Sequence, residues 1–179
     1  GGSGSDSLTA EDNANAVNIT GTNVGNIDST FSFSSVENLT GGSNDDSFNF
    51  SNGASIAGTV DGGSSGTDTL NYASYTTAVT VNLQASSATG INGFANIDSI
   101  AGGSGADSIT GPDADQTWTI NGSEAGNVDS VDFSEFELLN GGSGDDNFAF
   151  NDGVALDFAI NGGAENAADT VTFAASATG

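Results

Sequence analysis

The sequence predicts an all-β fold, a parallel β-solenoid (β-helix) of about nine stacked rungs, each of about twenty residues. Three observations carry that expectation. Turn-forming Gly, Asn, Asp and Ser are interleaved with β-branched and aromatic residues, with a single Pro in the chain. An aliphatic residue recurs at a near-constant step. An Asp stands two places before an apolar residue after most turns.

The aliphatic column runs Ile19, Leu39, Val60, Leu83, Ile100, Ile120, Leu139 and Ile160, with steps of 20, 21, 23, 17, 20, 19 and 21 residues. All but Leu83 are followed two places later by Gly, as in Leu39-Thr40-Gly41 and Leu139-Asn140-Gly141. Within one rung, Ser47-Phe48-Asn49-Phe50 alternates as a strand does, Ser51-Asn52-Gly53 reads as a turn, and Ser55 to Asp61 reads as a second strand. Stacked coils would bury what one coil cannot. Leu8, Phe48, Leu70, Ile109, Val131, Phe148 and Val171 are expected on one inward wall and the aliphatic column on the facing wall. Trp118, Tyr72 and Tyr75 are expected to pack in the core or at its edge. Asn121, Asn140 and Asn161 are expected to stack as a ladder at a turn.

A longer repeat overlies the short one. GGSNDDSFNF at 41–50 returns as GGSGDDNFAF at 141–150, and GGSGSDSLT at 1–9 returns as GGSGADSIT at 102–110. The chain therefore reads as a first five-rung unit, residues 1–101, continuous with a second, shorter unit, residues 102–179. Neither end looks like a cap, so the expectation is a window on a longer array, or end-to-end self-association.

Charge narrows the partners. There are 24 acidic residues and no Lys, Arg or His, for a net charge of −24. Phosphate recognition needs Lys and Arg, so nucleic acid and anionic membrane surfaces are excluded as direct partners. No apolar run reaches membrane-spanning length, so no membrane insertion is expected. There is no Cys to form a disulfide.

The acidic column consists of Asp6, Asp28, Asp46, Asp68, Asp107, Asp129, Asp146 and Asp169, with Asp45 and Asp145 as neighbours. Stacking would bring carboxylates about 5 Å apart, where two repel by about 0.8 kcal/mol even at the dielectric of water. A bound cation relieves this. The available ligands are all oxygen, which suits calcium and disfavours zinc, copper and nickel. The expected metal ligands are these ten aspartates, and the expected cofactor is Ca2+.

The turns GGSGSDSLT (1–9), GGSNDDSFN (41–49), GGSGADSIT (102–110) and GGSGDDNFA (141–149) resemble the calcium-binding nonapeptide G-G-x-G-x-D-x-U-x of RTX proteins. That resemblance implies that Asp6, Asp46, Asp107 and Asp146 hold the ion together with turn carbonyls. The matches lie 40, 61 and 39 residues apart, which points to a β-helix wider than the family's roll, with calcium at selected turns. Val36 to Ser43, Tyr72 to Leu83 and Thr117 to Ile120 are similar to repeats in giant bacterial surface adhesins and filamentous-haemagglutinin-like proteins. That resemblance implies a secreted or cell-surface location and an adhesive or filamentous role.

Catalysis is not expected. Without His, Lys, Arg or Cys the usual bases, electrophiles and strong nucleophiles are missing. Asp45-Asp46 and Asp145-Asp146 could in principle serve as paired carboxylates, but a metal-binding turn explains them better. Three roles follow: a calcium-stabilised structural or adhesive segment, a solenoid module for a glycan, another cell-surface ligand or ice, and a calcium-folded export segment of an RTX-type toxin or enzyme.

Overall fold

A computed structural model describes residues 1–155, 157–163 and 168–174. Among these there are twenty strands and no helix. The first eight are β1 (Ser7–Thr9), β2 (Ala16–Gly21), β3 (Val24–Ile27), β4 (Phe31–Ser34), β5 (Asn38–Gly42), β6 (Ser47–Phe50), β7 (Ile56–Gly63) and β8 (Thr69–Asn71). The next four are β9 (Thr80–Asn82), β10 (Ser87–Ala88), β11 (Ile91–Ala95) and β12 (Ser99–Ala101). The last eight are β13 (Ser108–Thr110), β14 (Thr117–Gly122), β15 (Ala125–Val128), β16 (Val131–Ser134), β17 (Leu138–Gly142), β18 (Asn147–Phe150), β19 (Ala159–Gly163) and β20 (Thr170–Phe173).

The chain passes back and forth between two mixed sheets. One has nine strands in the order β1-β5-β7-β11-β10-β9-β13-β17-β19, and the other has eleven, β20-β18-β14-β15-β16-β12-β8-β6-β2-β3-β4. Side chains from both sheets meet in one buried apolar cluster. The alternation in β6 shows why: Phe48 and Phe50 point into the cluster while Ser47 and Asn49 stay at the surface. Phe50 stacks on Tyr72 at 4.8 Å between ring centroids, and Trp118 stacks on Phe148 at 5.3 Å. Trp118, Tyr72 and Tyr75 are buried, as the sequence implies.

The strand pattern repeats. The order β1-β5-β7 has its counterpart in β13-β17-β19, and β4-β3-β2-β6-β8 in β16-β15-β14-β18-β20. Leu8 pairs with Leu39 as Ile109 pairs with Leu139, and Phe48 pairs with Leu70 as Phe148 pairs with Val171. Between the two sets lie β9–β12, which give three strands to the nine-stranded sheet and one to the other.

The structure corrects the expected walls. Leu8 and Ile109 lie in register with Leu39 and Leu139 instead of facing them. Ile19, Ile100 and Ile120 lie in the eleven-stranded sheet, beside Phe50, Leu70 and Phe150 respectively. Val81, not Leu83, is the inward partner of Ile109. Val131 sits opposite Val128 in an antiparallel pair. The Asn column is corrected too: Asn161 donates to Asn140 at 3.2 Å, but Asn121 belongs to the other sheet.

The cause is three antiparallel meanders, β2-β3-β4, β9-β10-β11 and β14-β15-β16. Each keeps the chain in one sheet for three strands, so the next aliphatic residue in sequence need not lie in the next layer. Most of their hairpin turns use non-glycine residues in the left-handed region, such as Asp28 (φ 51°) with Ser29 (φ 58°), and Asp129 (φ 47°) with Ser130 (φ 66°).

Candidate functional site: a carboxylate ladder along the turns

Most acids that end a turn two residues before an inward apolar residue reach across to the adjacent layer. There each accepts a hydrogen bond from the backbone amide of the equivalent residue. Asp46 Oδ1 accepts from the Asn15 amide at 2.8 Å, Asp68 Oδ1 from the Asp46 amide at 2.8 Å, and Asp98 Oδ2 from the Asp68 amide at 2.8 Å. Asp146 Oδ1 accepts from the Gln116 amide and Asp169 Oδ1 from the Asp146 amide, both at 3.0 Å. Beside the nine-stranded sheet, Glu37 accepts from the Asp6 amide at 2.9 Å, Asp107 from the Val79 amide at 2.7 Å, and Glu137 from the Asp107 amide at 2.6 Å.

The ladder has a direction, with every carboxylate accepting from the layer on the same side. Strand pairing leaves these turn amides without a carbonyl partner, and a buried amide must find an acceptor. A charged acceptor strengthens the bond. Asp46, Asp68, Asp107 and Asp146 are buried, unlike most aspartates.

The ten expected ligands therefore fall into separate groups. Asp46, Asp68, Asp107, Asp146 and Asp169 are ladder acceptors. Asp6 joins as an amide donor, and its Oδ2 accepts from the Gly2 amide at 2.7 Å. Asp45 and Asp145 are exposed beside the ladder: Asp45 accepts from the Thr67 amide, and the Asp145 amide donates to Asp115. Asp28 and Asp129 are outside it, exposed in the meander turns. Glu37, Glu137, Asp98 and Asn15 also take part in the ladder. Their sequence signal was present, since each stands two places before the inward residue Leu39, Leu139, Ile100 or Val17.

Asp46, Asp68 and Asp146 are held above the ordinary carboxylate range. Burial is the first cause, and neighbouring carboxylates add to it: Asp28 and Asp45 for Asp46, Asp46, Asp98 and Asp45 for Asp68, and Asp169, Asp115 and Asp145 for Asp146. The amide bonds push the other way and do not fully compensate.

Among the described residues, two buried carboxylate oxygens remain without a hydrogen-bond donor: Asp46 Oδ2 and Asp146 Oδ2, both on residues only 1% exposed. Each lies near a second acceptor. A methyl group placed on Gly41 would collide with both Asp46 Oδ2 and the Gly62 carbonyl, and one on Gly141 with Asp146 Oδ2 and the Gly162 carbonyl. Two oxygen acceptors thus bracket a space at equivalent turns of the two repeats. Among the described residues no three acidic side chains gather as a shared metal site. Comparison of the chain with protein-family models, curated proteins and solved structures finds no match.

Proposed function

We propose that the chain is an extracellular, calcium-stabilised structural or adhesive segment of a β-solenoid array, without catalytic activity. The observation that carries this reading is the pair of donorless buried oxygens, Asp46 Oδ2 and Asp146 Oδ2, each set against a backbone carbonyl. Two facing acceptors repel, and no Lys, Arg or His exists in the chain to bridge them. Calcium suits such a donor set, because it takes backbone carbonyls and water as well as carboxylates. It would offset repulsion along the ladder and bind only the folded chain, so binding energy adds to stability. Extracellular calcium is abundant enough to fill sites of modest affinity. The parallel stacking of β1-β5-β7 and β13-β17-β19 supports the solenoid reading, with the meanders as thickened rungs. The likeness of the turns to RTX nonapeptides and of the longer unit to surface adhesins supports the location and role.

The test is thermal unfolding followed by circular dichroism after EGTA treatment, with calcium then added back. The reading expects a melting temperature that rises with calcium, and more with calcium than with magnesium at equal concentration. Melting that is indifferent to EGTA removes calcium from the proposal. Compact, round particles instead of rods in negative stain would remove the array.

A further inference from the structure

Among the described residues the outer edges of both sheets are unpaired, and the internal junction between the repeats shows how such edges are covered. We infer that each end is a docking edge for one specific occupant, a block built like residues 73–101, which adds three strands to one sheet and one to the other. The inference deepens the array reading and rests on it.

At the junction between the two repeats, β12 pairs on one side with β8, placing Ile100 beside Leu70, and on the other with β16, placing Ile100 beside Phe133. In the other sheet β11 pairs with β7 and β9 pairs with β13. At the far end, β19 and β20 are the counterparts of β7 and β8, and among the described residues their outer edges are unpaired. Exposure changes accordingly. Leu70 and Tyr72 are 0% exposed, whereas their counterparts Val171 and Phe173 are 49% and 62% exposed. At the near end Phe31 is 55% exposed on the unpaired edge of β4, and Leu8 is half-buried where Ile109 is fully buried.

The ladder breaks at the same places. Asp98 takes the Asp68 amide, and among the described residues no carboxylate takes the Asp169 amide. The Val79 amide feeds Asp107 Oδ1, and none of the described residues feeds Asp6 Oδ1. Residues 73–101 supply both missing partners at the internal junction. The block also carries one acid, Asp98, in a chain with 24, so it separates two strongly acidic stacks while adding a single charge.

A second copy docking end to end does not fit as well. The internal junction needs three strands in one sheet for each one in the other. Joining β20 directly to β4 would leave β19 and β1 short by two strands, a gap of about 10 Å at normal strand spacing.

The experiment is amide hydrogen exchange on the full chain with an extra copy of residues 73–101 placed before Gly1. A companion carries the copy after Phe173, replacing residues 174–179. The first should slow exchange in β1 and β4 by about tenfold or more, and the second in β19 and β20. Unchanged exchange at those edges, with β6 and β14 protected as before, overturns the inference and leaves the array reading intact. Lost protection of β6 and β14 in both chains also counts against it, since a fitting block does not unfold its neighbour. Protection of β4 and β20 that grows with concentration in the unmodified chain would assign the ends to a second copy instead. The array reading fails separately if calcium-treated chains form no rods.

Discussion

The Asp68 carboxylate accepts the backbone amide of Asp46 at 2.8 Å while lying between two other acids, Asp46 and Asp98. The bond is useful and the charge is not. Asparagine would keep a carbonyl oxygen as acceptor and remove the charge. Asp68→Asn is therefore expected to match or exceed the parent in urea stability at pH 7.5 in EDTA. Asp68→Ala leaves the buried Asp46 amide without an acceptor and should cost about 1–3 kcal/mol. Chemical denaturation of both variants checks the pair, and equal losses would contradict this account.

The close turn at Gly41 has a different vulnerability. Its backbone is not left-handed, so the objection to a side chain is space alone: a methyl meets Asp46 Oδ2 and the Gly62 carbonyl. Neither can retreat without breaking the ladder or the sheet. Gly41→Ala should cost about 1–3 kcal/mol, the range for forced overpacking. Gly21 has nothing within 4 Å of the same position. Gly21→Ala should fall within about 0.5 kcal/mol of the parent. Melting curves in the presence of calcium compare them directly.

Much of this was legible before the structure. The inward phenylalanines of β6 and β18 announce themselves by strict alternation, and the Asp-x-apolar signature marks the ladder turns. The meanders were hidden. Their turns at Asp28-Ser29 and Asp129-Ser130 lack the Asn-Gly or Asp-Gly signature that advertises a tight hairpin. Asp28 and Asp129 therefore looked like further ladder rungs. Glu37 and Glu137 fall outside an Asp-only column, although their longer side chains reach the neighbouring amide as well. The facing of the walls depends on how many strands the chain spends in each sheet, which a residue count does not encode.

Burial depth should follow the repeat. Leu70 and Val171 occupy equivalent register positions, beside Phe48 and Phe148. Leu70 is covered by β12, whereas no described strand lies beyond Val171, which is 49% exposed. Leu70→Ala should cost about 2–5 kcal/mol. Val171→Ala should cost well under half of that, because part of its surface is already in water. Comparable losses at the two positions would mean that β20 is covered in solution.

Tyr72 makes a sharper case within the same core. Its ring stacks on Phe50 and meets Tyr75 edge-on at 5.3 Å, but its hydroxyl is buried without a partner among the described residues. Burial and the nearby Tyr75 push its ionisation far above the usual range, so it stays neutral at any working pH. Tyr72→Phe removes an unsatisfied polar group and keeps the stack. Stability should be unchanged or higher by up to about 1 kcal/mol, whereas a loss would reveal a hydrogen bond to water at that hydroxyl.

The raised aspartates set a pH dependence whose sign runs against the common pattern for carboxylates. Asp46, Asp68 and Asp146 bind protons more readily in the folded chain than in the unfolded one, where Asp titrates near about 3.9. The folded state therefore carries more protons through the window between those two values. Their contribution to stability is fully present below the unfolded value and is lost as pH rises through the folded one. Easing the repulsion of 24 acids acts in the same direction. In EDTA the urea midpoint should be higher at pH 5 than at pH 7.5, with pH 5 still above the pI of about 4.1. Calcium should shrink the difference, because a bound cation favours the ionised carboxylates at pH 7.5 and competes with protons at pH 5. A midpoint that instead rises from pH 5 to pH 7.5 in EDTA would show that the amide bonds outweigh burial and repulsion along the ladder.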